Sequence, residues 1–177
     1  MQSKDNLVWL DLEMTGLEVD ECEIIEIAVI ITNKNLDIIA ESDPIAIYQT
    51  DETLAKMDEW CTNTHASTGL TQRVKDSKID VAEAEQMMLD FIKTYVPNQS
   101  SPLCGNSIWQ DRRFLSKYMK SLDDYCHYRV IDVTSVKLLN DYWGDAKNFH
   151  KKNTHKALDD IRESIAELKF YKETLFN

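Results

Sequence analysis

The stretch Asn6-Leu-Val-Trp-Leu-Asp-Leu-Glu-Met-Thr-Gly16 decides the fold class of this 177-residue chain. Leu7 to Leu10 form an unbroken apolar run, the pattern of a strand buried on both faces, and two acids follow at its end. Side chains alternate along a strand, so Asp11 and Glu13 project to the same side, one pleat apart. Carboxylates held that close repel unless a cation sits between them, and hard divalent ions favour such oxygen donors. Read alone, the D-x-E pattern fits equally well two solvated charges where a strand frays into a loop.

Outward from this strand, Glu23 to Thr32 is a second and longer apolar run. Asn33-Lys-Asn35 makes a turn, and Leu36 to Ala40 with Ile45 to Tyr48 complete an expected antiparallel meander. Glu26, inside the apolar run, reads as a partnered structural carboxylate or as a support for the metal site. Residues 51–76 read as short helical pieces. Asp80, with Glu83 three residues on, starts a helix whose apolar stripe is Val81, Ala84, Met88, Phe91, Ile92 and Tyr95. Pro102 to Gly105 is a short strand and a helix runs from about Trp109 to Met119. Tyr128 to Ile131 is a further strand, and Asp132 caps a helix to about Tyr142. The last helix begins near Ala157, with Leu158, Ile161, Ile165, Leu168, Tyr171 and Leu175 at spacings of three and four. Strands first, then helices interleaved with short strands, predict one mixed sheet flanked by helices, a single α/β domain over residues 1–177.

Apolar residues make up 43% of the chain, enough for a proper core. No run of about 18 apolar residues exists, and the polar amino terminus lacks a secretion signal, so neither a membrane span nor export is expected. Cys22, Cys61, Cys104 and Cys126 are scattered, as free thiols of a cytoplasmic protein are. The net charge of −11 disfavours a protein that tracks long nucleic acid on a basic stripe. It leaves room for a local basic patch or for a short substrate. Arg112-Arg113 with Lys117 and Lys120, and Lys147 to Lys156, are the dense basic clusters; solvated helix faces or phosphate contacts explain them equally.

Asp111 falls in the first turn of a helix that follows a strand, at the sheet end where α/β sites gather. A helix-start acid favoured by the macrodipole would also stand there. In His155-Lys-Ala-Leu-Asp-Asp160, Asp160 lies about 100° around the helix from buried Ile161 and can face a groove beside the core. His155 stands within reach of that groove and titrates near neutrality, as a general base must. A surface histidine and a charged helix start remain the plain alternatives, and Asp159 fits the latter.

Four segments carry a family resemblance: residues 9–17 (WLDLEMTGL), 104–115 (CGNSIWQDRRFL), 127–129 (HYR) and 153–168 (NTHKALDDIRESIAEL). They resemble the exonuclease motifs of the DEDD superfamily in its histidine-bearing branch, and within it the oligoribonuclease family, over essentially the whole chain. The sequence departs from that family at Trp109, where a small residue is usual. The resemblance implies a ribonuclease-H-like fold, a homodimer, and 3′-to-5′ hydrolysis of very short RNA oligonucleotides to 5′-mononucleotides. It implies two magnesium or manganese ions, held by Asp11, Glu13 and Asp160 with Asp111 acting directly or through water, and His155 as general base. Leu17 resembles the family's apolar wedge, although core packing would also explain it. Trp60 and His65 could stack on a base or touch phosphate, and Ser107 and Gln110 could meet phosphate or sugar. Core tryptophan, loop histidine and helix capping remain the alternatives for Trp60, His65 and Ser107. By the same resemblance Tyr128 and Arg129 reach into the partner's site, where the arginine caps the substrate's 5′ phosphate, with Thr134 and Ser135 assisting. A proofreading or transfer-RNA-trimming exonuclease, or an acidic metal-buffering module without catalysis, are the rival readings.

Overall fold

The computed structural model describes residues 2–144, 149–150 and 156–175. Its centre is a six-stranded mixed sheet. β1 (Leu7–Met14) pairs antiparallel with β2 (Ile24–Thr32). β3 (Ile38–Glu41) and β4 (Ile45–Ala46) both pair antiparallel with β2. On the other side of β1, β5 (Pro102–Gly105) and then β6 (His127–Asp132) add in parallel, giving the order β3-β2-β1-β5-β6 with β4 beside β2.

β1 runs further than its apolar stretch, because β2 supplies partners as far as Ile24 opposite Met14, with Glu26 opposite Glu13. The acids therefore sit within the strand and not beyond it. The expected meander is corrected in one respect: β4 pairs with β2 and not with β3. Ser42 keeps hold of β2, its backbone N–H donating to Val29 O at 2.9 Å while its hydroxyl accepts from Val29 N at 3.0 Å. Pro44, which has no N–H to offer a ladder, then follows. β3 and β4 are two pieces of one interrupted edge strand.

Three short helices, α1 (Asp51–Leu54), α2 (Glu59–Ser67) and α3 (Leu70–Asp76), fill the region expected to hold short helical pieces. α4 (Val81–Tyr95) is capped by Asp80, whose carboxylate accepts from Glu83 N at 2.9 Å. α5 (Ile108–Tyr118), α7 (Val133–Trp143) and α8 (Ala157–Leu175) begin within a residue of their expected starts. Between α5 and β6 lies α6 (Lys120–Tyr125), which the sequence did not announce. Its single buried residue, Leu122, is too little for a periodic pattern.

Alternation along β1 sorts the core into two layers. Val8, Leu10 and Leu12 pack with Met88 and Ile92 of α4 and with Phe114 and Leu115 of α5. Trp9, Ala28 and Ile30 pack on the opposite face with Ile161, Ile165 and Tyr171 of α8. Each such large apolar side chain, fully buried, contributes about 1.5–3 kcal/mol. Asp11 and Glu13 share the parity of Trp9, so they emerge on the α8 face. Opposite Asp11 stands Ala28, whose small side chain leaves room for carboxylates. Among the described residues, no helix is long and apolar enough to cross a membrane.

Candidate active site

Asp11 and Glu13 from β1 meet Asp160 from the first turn of α8, and one carboxylate oxygen from each lies within 4.8 Å of the others. Ile161 and Ile165 anchor α8 on the sheet, and the residue preceding Ile161 is thereby turned toward the exposed end of β1. Asp111, in the first turn of α5, is buried beside them, and its Oδ1 accepts from Leu12 N at 2.9 Å. The helix-start acid and the site acid are thus one residue.

The electrostatics follow from crowding. Burial, then the charges of Asp111, Glu13, Asp160 and Glu26, push Asp11 well above the usual carboxylate range. Glu13 is pushed up to about 8 by burial and by Asp160, Glu26 and Asp111, with Arg73 opposing. Burial raises Asp111 to about 7 against the lowering effect of the Leu12 hydrogen bond. Without a cation such a cluster retains protons; a hard divalent ion with oxygen donors relieves both desolvation and repulsion. The donor set fits magnesium or manganese, and Asp11, Glu13 and Asp160 are the residues that would hold it. Glu26 differs from these three because the guanidinium of Arg73 is bonded to it.

A cleft of about 540 Å³ opens beside Glu13, lined by Leu12, Met14, Leu17, Trp60, Cys61 and His65 among others. Leu17 is 67% exposed and Trp60 59%, so neither is a core residue. Asp58 caps α2 by accepting from Cys61 N at 2.7 Å, which sets Trp60 at the rim. His65 is buried, with Nε2 3.0 Å from Met14 O and Nδ1 3.9 Å from Glu13 Oε2. Since a carbonyl only accepts, Nε2 carries a proton there.

The remaining expected residues are distributed as follows. Gln110 donates to Leu17 O at 2.6 Å and accepts from Arg113 at 2.9 Å, so its amide braces the backbone at Leu17. Ser107 adopts a left-handed conformation, φ 50° and ψ 33°, and makes no side-chain cap. Its backbone N–H donates to Asp132 Oδ1 at 2.9 Å and Thr134 Oγ1 at 3.0 Å. Tyr128 and Arg129 stand exposed on β6, away from the acid cluster's own lining. His155 lies outside the described residues, as does most of the Lys147 to Lys156 cluster. In the other basic cluster Arg112 binds Asp123, Arg113 binds Gln110, Lys117 donates to Val19 O at 2.7 Å, and Lys120 pairs with Asp124. Asp159 pairs with Arg162 at 2.9 Å, in keeping with its plain reading. Sequence reasoning missed Arg73 as the partner of Glu26 and Arg112 as an organiser of β6; both pairings are tertiary, and no spacing in the chain signals them.

The sequence model of the RNase_T exonuclease family matches residues 8–168. An oligoribonuclease of Francisella tularensis subsp. tularensis (strain WY96-3418) is 72% identical over 177 residues, covering 100% of this chain and 99% of its own. One of Pseudomonas savastanoi pv. phaseolicola is 58% identical over 173 residues, covering 98% and 97% respectively. In structure, the chain is similar to a zinc-bound form of the E. coli exonuclease I complex with single-stranded DNA. The TM-score is 0.77 at 14% identity, covering 100% of this chain and 42% of that one. Exonuclease I of Methylocaldum szegediense gives a TM-score of 0.68 at 15% identity, covering 97% and 41%. The chain thus spans about two fifths of those exonuclease I chains. At such identity the likeness shows the fold alone, a ribonuclease-H-like α/β architecture.

Proposed function

We infer substrate and chemistry from one premise: the chain belongs to the oligoribonuclease family of 3′-to-5′ exonucleases, hydrolases of the DEDD superfamily. The substrate we propose is very short single-stranded RNA, dinucleotides above all, cleaved to 5′-mononucleotides. One observation carries this reading: Asp11, Glu13 and Asp160 converge, with Asp111 beside them, and Glu13 of that cluster lines a cleft rimmed by exposed Leu17 and Trp60. This arrangement supports phosphate chemistry with base recognition beside it.

Two divalent ions, magnesium or manganese, held by Asp11, Glu13 and Asp160 with Asp111 assisting, would neutralise charge on the phosphate and make water a better nucleophile. The chain's own residues do the rest. Trp60 offers a face for a terminal base and Leu17 wedges against it, as apolar and aromatic side chains do with single strands. Gln110 holds the Leu17 backbone in place. Buried His65, bonded to Met14 O, fixes the strand end from which Glu13 projects. Ser107 lies at the turn into α5, within reach of sugar or phosphate. His155 takes the proton of the attacking water. Tyr128 and Arg129 cap the 5′ phosphate in the site of a second copy, so the working form is a homodimer. A cap would end the binding track after a short substrate, which suits a chain of net charge −11. Four free thiols suit a reducing compartment, and we place the activity in the cytoplasm.

The test is a labelled ribodinucleotide against a long RNA, with magnesium and with a chelator. Rapid metal-dependent loss of the dinucleotide and slow loss of the long strand are expected. Equal or faster degradation of the long strand would transfer the protein to a proofreading or trimming role. Cleavage of neither would make it a binding module.

A further inference from the structure

β6 departs from regular pairing where Tyr128 and Arg129 stand. Its partners on β5 run from His127 opposite Pro102 directly to Val130 opposite Leu103. Tyr128 and Arg129 are therefore two extra residues without β5 partners, a bulge in the strand that carries them. Bulges re-aim side chains, and here Tyr128 is thrown 72% exposed. The bulge also takes carbonyl groups out of the ladder, and these need donors from elsewhere.

Arg112 supplies them. Its Nη1 donates to the carbonyls of His127 and Tyr128, both at 2.9 Å, and lies 3.5 Å from that of Arg129. Its Nε pairs with Asp123 at 2.9 Å, and both side chains are largely buried. The planar guanidinium thus spans the α6 carboxylate and the bulge backbone, a geometry a lysine cannot reproduce. Above this support the bulge is ordered from within. Arg129 Nε lies 3.1 Å from Tyr128 Oη, the Arg129 guanidinium is 5.4 Å from the Tyr128 ring centroid, and His127 and Tyr128 rings lie 4.5 Å apart. Arg112 is next in sequence to Asp111, so one turn of α5 serves both the acid cluster and the bulge.

We propose that Arg112, oriented by Asp123, is the positioning residue for the Tyr128–Arg129 bulge and so sets the enzyme's discrimination for a substrate 5′ phosphate. The inference rests on the reading of Tyr128 and Arg129 as the 5′ cap. Arg112 touches no substrate; it acts by holding backbone.

Two substrates separate the roles. A ribodinucleotide with a 5′ phosphate, measured against the same dinucleotide with a 5′ hydroxyl, reports the cap. A p-nitrophenyl ester of a nucleoside 5′-monophosphate has no such 5′ end and reports the acid cluster alone. In full-length Arg112→Ala the ratio of kcat/KM for the two dinucleotides falls by about 10–100-fold, through KM, as loss of hydrogen bonds from a charged donor allows. Ester turnover stays near the parent's. Asp123→Asn moves the ratio in the same direction by less. Arg112→Lys, which keeps the charge on α5, also loses discrimination and decides the matter if the alanine variant fails to fold. Retained discrimination in Arg112→Lys or Arg112→Ala overturns the proposal, as does a parallel fall in ester turnover, which would mean that Arg112 acts through α5 on Asp111. Arg129→Ala tells the two failures apart. If it too retains discrimination, the cap reading itself falls; if it alone loses it, only the role of Arg112 falls.

Discussion

Glu13 and Glu26 stand opposite each other on adjacent strands, yet their surroundings assign them different work. Glu26 is buried and bonded to Arg73, while Glu13 shares its space with Asp11 and Asp160. The two can be separated by isosteric substitution. Glu13→Gln lowers metal-dependent turnover by about 10²–10⁴ or more, the scale of a lost catalytic group, whereas Glu26→Gln keeps it within about tenfold. Glu26→Gln instead lowers the denaturation midpoint, because Arg73 loses the charge it faces. Steady-state assays at saturating magnesium, paired with urea titrations, check both, and equal losses of turnover would place Glu26 among the metal-holding acids. In the sequence Glu26 could be read either as structural or as a support for the site. Its partner comes from a helix 47 residues on, and nothing in the local pattern names it. Leu17 and Trp60 were legible only through family resemblance, since exposure at a cleft rim leaves no periodic trace.

At the scale of elements, α8 carries two stripes. Ile161, Ile165 and Tyr171 pack on the sheet, and Asp160, Ser164 and Glu167 run beside them at helical spacing toward the β5–α5 corner. Asn106 closes that corner: its amide donates to Ser164 Oγ at 2.8 Å and to Glu167 Oε2 at 3.1 Å, and its carbonyl accepts from Thr134 at 3.1 Å. One side chain thereby ties α8 and α7 to the turn that starts α5, and so fixes Asp160 relative to Asp111. Asn106→Ala is expected to cost about 1–3 kcal/mol, the range for buried polar groups deprived of a partner. It should also reduce turnover more than binding of the single-stranded substrate, because the acids separate while the Leu17–Trp60 rim stays. Unchanged stability in a urea titration, or a loss confined to KM, would remove Asn106 from this role. The apolar stripe of α8 was plain from periodicity, and the helix appears where it was expected. The polar stripe was not, because Ser164 and Glu167 look in sequence like any solvated helix face. The same limit hid the β4 pairing, which depends on Ser42 reaching back to Val29.

For the whole molecule, the cluster of raised carboxylates links folding, protons and metal. Glu13 at about 8 and Asp111 at about 7 hold protons in the folded, metal-free protein that the unfolded chain releases near its ordinary carboxylate range. The folded state therefore binds more protons than the unfolded state between about pH 4.5 and 8, so the stability contributed by these groups is present at low pH and lost as pH rises through that window. A divalent ion reverses the balance, because it binds the ionised acids and stabilises only the folded chain. At a free ion concentration of about 100 Kd that linkage is worth about 2.7 kcal/mol. In chelator, Tm should fall from pH 5.5 to pH 8. Added magnesium or manganese should raise Tm more at pH 8 than at pH 5.5, where protons compete for the same oxygens, and binding at pH 6.5 should release protons into the buffer. Calorimetry in two buffers of different ionisation enthalpy measures that release directly. A metal-free Tm that rises over this interval, or a metal shift greater at pH 5.5, would mean that the acids are already ionised in the folded chain. The cluster would then be balanced by cationic groups of the protein itself, and the site would have no need of an ion to bring its charges together.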